Sequence, residues 1–161
     1  MSIVVNSTPL ISLGLLNQLD LLQKIFGRVI LPYAVYNEVI IKGKGKAGYE
    51  NLSAVDWFHI TDVDNSELKR SIMIELDEGE AEVICIAKEK NMPFVCIDEF
   101  AGRQYAKLLG LEVIGTLGVL LVGKQKGYIR EIKSMLEKLI INDRYIGRAL
   151  YTEILQKAGE L

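Results

Sequence analysis

Histidine is almost missing from this chain: His59 is the only one, and the two cysteines, Cys85 and Cys96, lack CxxC spacing. A zinc site of the Cys/His type cannot be assembled from that set, and a Ser-His-Asp triad would have to rest on a single imidazole. The cysteines fall in apolar runs and read as small buried hydrophobes, and His59 and Trp57 read as packing residues. Excess charge is missing too. A formal net charge of -2 excludes a strongly basic nucleic-acid coat and leaves any such contact to local patches. No apolar run approaches the ~20 residues that a membrane-crossing helix needs. The start lacks the basic-then-apolar pattern of a secretory leader, so the expectation is a cytoplasmic protein without a membrane segment. No Pro/Gly/Ser-rich linker, repeat or low-complexity tract interrupts the sequence, which predicts one domain over residues 1–161.

Half of the residues are apolar, and they come as short runs between helical patterns. Residues 3–5 read as a strand, followed by a turn in which Ser7 or Thr8 can cap a helix with Pro9 in its first turn. A second short helix over 19–26 stops at Gly27, and a strand over 29–31 leads through Pro32 into the helix PYAVYNEVIIKG. KGKGKAGYE is a basic loop without P-loop spacing. Residues 57–60 read as an edge strand and 67–74 as a helix. A nearly all-apolar helix then opens at Glu80, and the run 94–97 stops at Asp98. Such a run reads as a parallel strand buried on both faces, and in open parallel sheets the crevice lies outside the carboxyl ends, where Asp98 would point. A helix over 99–109 follows, with Glu99 and Arg103 spaced to pair, then a strand over 111–114 and a helix capped by Thr116. Closing helices are expected at about 130–158, over 131–141 and 145–156. Short strands alternating with helices specify an α/β fold around a parallel sheet.

Asn6, Glu38, Glu80 and Asp98 fall where strand ends and first helical turns can converge. Two carboxylates ~4 Å apart at an effective dielectric near ~20 repel by about 4 kcal/mol, so a cluster of three needs protons, cationic side chains or a metal. Oxygen-only donors suit Mg²⁺ or Mn²⁺, and such an ion supports phosphodiester hydrolysis. Each acid also has a plainer reading. Glu80, with Asp77, Glu78 and Glu82, suits a helix N-terminus, Glu38 an exposed helix face, and Asp98 the cap of the following helix.

The ordered set VVNSTPLISL, PYAVYNEV, DEGEAEVICIAKEKNMPFVCIDEFAGRQYA and LEVIGTLGVLL resembles the PIN-domain superfamily. More narrowly, it is similar to the branch of small prokaryotic PIN-like, predicted nucleic-acid-binding proteins related to VapC-type toxins. That resemblance implies a three-layer α/β/α sandwich around a parallel sheet of four to five strands. It also implies an Mg²⁺- or Mn²⁺-dependent endoribonuclease whose acids come from separated segments. Glu38, Glu80 and Asp98 match the second, third and fourth acids, and Thr8 the small hydroxyl residue close after the first. Asn6 stands where the family usually has Asp, and its neutral carbonyl cannot accept a proton. The implied function is a toxin-like ribonuclease whose metal is held by Glu38, Glu80, Asp98 and Asn6. Lys42, Lys44, Lys46, Arg103, Lys124 and Lys126 are the candidates for gripping the RNA strand. The alternative is a catalytically impaired module that binds RNA or a protein. An antitoxin-like partner and a homodimer are implied by the resemblance alone.

Overall fold

In the computed structural model, which describes residues 1–161, the apolar runs become five strands: β1 (Ser2–Val5), β2 (Arg28–Pro32), β3 (Phe58–Thr61), β4 (Phe94–Cys96) and β5 (Glu112–Ile114). Every pairing is parallel, and the order across the sheet is β3-β2-β1-β4-β5. Parallel neighbours require crossovers, and helices provide them. These are α1 (Ser7–Leu15), α2 (Asp20–Phe26), α3 (Tyr33–Tyr36, widening into a π-helical turn over Asn37–Ile41), α4 (Tyr49–Ser53), α5 (Ser66–Ile72), α6 (Glu78–Glu89), α7 (Phe100–Leu108), α8 (Thr116–Gln125), α9 (Lys133–Ile141) and α10 (Arg148–Ala158). On one face α6 packs on β1, β2 and β4 with α5 beside it; on the other α2 packs on β1 and β2, with α8 against α2 and α10 against α8. This is the expected three-layer α/β/α arrangement.

Burial explains why the central strands lack the alternation of a half-exposed sheet. Ile3, Val4 and Val5 on β1, and Val95 and Cys96 on β4, have no solvent contact, because each strand is covered on both faces. Each fully buried aliphatic side chain contributes roughly 1.5–3 kcal/mol, so this strip anchors the fold. The strand order also fixes where a ligand crevice falls. The chain leaves β1 toward β2 and later returns to β4 on the other side of β1, and the gap beyond those two carboxyl ends is the topological switch point.

Several boundaries move for identifiable reasons. The central helix starts at Glu78, because Asp77 caps it: Asp77 accepts the Glu80 N–H at 2.8 Å, and the Glu80 side chain accepts the Asp77 N–H at 3.4 Å. The last helix begins at Arg148, leaving residues 142–147 as a connecting strap. Thr116 is the first residue of α8, with Gly115 as the cap. The basic loop gives way to the short α4. His59 is exposed on the edge strand, while Trp57 is half-buried and meets the Phe58 ring edge-on at 4.8 Å. Both cysteines are buried thiols, and burial pushes Cys85 up to about 11.

Candidate functional site

Just past β1, Asn6 donates its backbone N–H to the Cys96 carbonyl at 3.0 Å, so β1 and β4 end side by side. From these two ends the chain delivers Asn6, Ser7 and Thr8 on one side and Asp98 and Glu99 on the other. Asn6 is 4% exposed. Thr8 donates its hydroxyl to Glu99 Oε1 at 2.5 Å, and Asn6 Nδ2 donates to Glu99 Oε2 at 3.5 Å. The first turn of α6 closes on the same spot. A methyl group on Gly79 would press on Asn6 Oδ1 at 3.2 Å, and one on Gly102 of α7 would run into the Glu80 carboxylate, so glycine is what admits the second approach.

Glu80 has the most distinctive surroundings. It is 6% exposed, and its Oε2 is buried without any hydrogen-bond partner. Burial, reinforced by the neighbouring Asp77 and Glu99 carboxylates, pushes its pKa from an ordinary 4.5 up to about 7. Asp98 is different. It accepts the Thr116 N–H and the Thr116 hydroxyl, each at 2.7 Å, so it caps α8 across the crevice instead of the α7 that follows it. Burial raises its pKa, and the two Thr116 hydrogen bonds oppose that shift.

The sequence-predicted residues are thus gathered unequally. Asn6, Thr8, Glu80 and Asp98 all reach the crevice region. Glu38, on the π-helical turn, is exposed and tied to its edge by the Ser7 hydroxyl at 2.6 Å. The expected Glu99–Arg103 pair does not form, because Arg103 Nη1 donates to the Ile97 carbonyl at 2.8 Å while Glu99 turns to Thr8 and Asn6. The other expected cations lie elsewhere. Lys124 and Lys126 are at the opposite end of α8, ~12–15 Å from Thr116 by helical rise, and Lys124 is engaged by the Ala158 carbonyl at 2.5 Å and Glu160 at 2.8 Å. Lys42, Lys44 and Lys46 are exposed in the turn leading to Gly48. Gly48 packs against Gly14, ~9 Å along α1 from Thr8.

Sequence reading missed Ser7 as the contact of Glu38 and Glu99 as a member of the site. The adjacent acids in IDEF were the available signal for Glu99. No group of three or more acidic, histidine or cysteine side chains is placed to hold a metal ion. Beside the acids lies a cavity of about 310 Å³, lined by Thr8, Asp98 and Thr116 from the sheet end and by Arg144 and Tyr145 from the strap. No helix is long and apolar enough to cross a membrane.

A family model described as a PIN domain, DUF3368, matches residues 2–160. No curated protein and no solved structure matches. With almost the whole length covered by that match, and with acids delivered to the switch point of a parallel α/β/α sheet, the chain belongs to the PIN-domain superfamily, a nuclease-type group whose members generally use divalent metals.

Proposed function

We propose that this protein is a metal-dependent endoribonuclease of the PIN type, hydrolysing RNA phosphodiesters at the crevice between β1 and β4. The observation that carries this reading is the Glu80 carboxylate, buried, held near neutrality and left with an unpartnered oxygen. A buried acid oxygen without a donor, among other carboxylates, fits a hard cation in its chemistry. Glu80, Glu38, Asp98 and the Asn6 carbonyl would hold a Mg²⁺ or Mn²⁺ ion only once Glu38 and Asp98 release Ser7 and Thr116, since no three acids are gathered as they stand; when bound, the ion makes water a better nucleophile and stabilises charge on the phosphodiester. Thr8 and Asn6 orient Glu99 at the rim. With its pKa at about 7, Glu80 can take up and release a proton at its carboxylate near neutral pH. The toxin-like role, the antitoxin-like partner and the homodimer enter this reading on the resemblance alone.

The test is cleavage of single-stranded RNA in Mn²⁺ by the full chain beside Glu80→Gln. The variant should lose on the order of 10³-fold in rate. Equal cleavage by both proteins would remove the assignment.

A second reading, a module that binds RNA or a protein without cutting, is favoured by Asn6 in the first acid's place and by Asp98 being fully engaged with Thr116. Asn6→Asp separates the two. On the second reading wild type is silent and the variant gains Mn²⁺-dependent cleavage, whereas on the first wild type already cuts.

A further inference from the structure

The connection between α9 and α10 does more than join two helices. Residues 142–147 bring Asp143, Arg144, Tyr145 and Ile146 over the crevice, where they form the far wall of the cavity of about 310 Å³ whose near wall is Thr8, Asp98 and Thr116. Arg144 is half-buried, forms no ion pair with any carboxylate, and has its Nε buried without a hydrogen-bond partner. A guanidinium in that state lacks an acceptor, and a planar fork of donors is best matched by a phosphate or carboxylate. Tyr145 beside it is 92% exposed, an expensive position for an aromatic ring with no protein neighbour to cover it. A second cavity, of about 420 Å³, shares Asp98, Leu117 and Leu150 with the first and carries Arg103. Asp98 therefore lies between two hollows, each with one arginine in its wall.

We propose that the strap forms a nucleotide subsite for single-stranded RNA, with Arg144 on a backbone phosphate next to the one at the acids and Tyr145 stacked on the adjoining base. The strand would run over Asp98 toward Arg103. Phosphate contacts set the register of such a strand, and base stacking tolerates any sequence. This inference deepens the ribonuclease reading above by naming how its substrate is held, and it rests on that reading for the identity of the ligand.

The experiment measures binding of a labelled oligouridylate to the full-length chain by fluorescence anisotropy in EDTA, so that no cleavage is involved. Arg144→Ala and Tyr145→Ala should each raise Kd on the order of tenfold, with Arg144→Lys in between because it keeps the charge and loses the fork. Arg28→Ala, which removes one exposed positive charge at the amino end of β2, away from the crevice at the carboxyl ends, should change Kd by less than about twofold. Unchanged affinity in both strap variants, or an equal loss in Arg28→Ala, overturns the subsite. The two proposals fail separately. If wild type never cuts RNA, the strap variants still weaken binding; if cutting depends on Glu80 while both strap variants bind as wild type does, only the subsite is wrong.

Discussion

Helix α6 buries two glutamates two positions apart, Glu80 at 6% and Glu82 at 5% exposure, and treats them in opposite ways. Glu82 accepts the Ala34 N–H at 2.9 Å through one oxygen and pairs with Lys69 at 2.6 Å through the other. It ties the start of α3 and the side of α5 to α6, and both of its oxygens are satisfied. Glu80 points elsewhere, since two residues turn a helix by about 200°, and it meets Asp77 and Glu99 with one oxygen left without a hydrogen-bond partner. Burial of an acid is therefore not the mark of a site. What separates the two is whether the fold supplies the counter-charge, and at Glu80 it does not.

Replacing each glutamate by its neutral isostere should break this symmetry of burial most visibly. Glu82→Gln leaves the partly buried Lys69 with only the exposed Glu78, at 2.9 Å, and should cost about 2 kcal/mol in urea unfolding at neutral pH. Glu80→Gln removes an acid that no cation balances and should not lower stability, raising it by at most about 1 kcal/mol. If the two substitutions cost the same, the distinction between a structural and a functional carboxylate on this helix is lost.

The same contrast shows what a sequence can and cannot reveal. Strands reading VVN and FVCID, with helices between them, were legible as parallel strands because unbroken apolar runs of that length have nowhere else to go. The switch-point location of Asn6 and Asp98 followed from where those runs stop. Pairings between side chains far apart in the chain were not legible. Glu99 and Arg103 have ideal helical spacing, but Thr8, 91 positions away, takes Glu99, and the Ile97 carbonyl takes Arg103. Lys124 looked like a surface cation, and only the return of the C-terminus to Glu160 shows it bound at the end of α10. Arg144 offered no local pattern, because its position over the crevice depends on how α9 and α10 close on α8.

The smallest effect is also the most direct probe of the uncompensated acid. In the folded chain Glu80 keeps its proton up to about pH 7, whereas unfolded it would release it near 4.5. Between those values the native state binds more protons than the unfolded state, so stability falls as pH rises; below 4.5 the contribution is fully present, and above 7 it is gone. With solvent screening allowed for, the change is on the order of 1 kcal/mol. Asp77 and Glu99 face the same carboxyl, so the informative quantity is the difference between wild type and Glu80→Gln, measured as Tm against pH in EDTA. Because burial and the neighbouring carboxylates act against the ionised form, which the amide does not mimic, the two proteins should be alike at the acid end and wild type should fall behind Glu80→Gln as pH approaches 7. Parallel curves would mean that Glu80 ionises in the native state as it does in the unfolded chain, and the unpartnered oxygen would then lose its standing as the cation-seeking atom of the crevice.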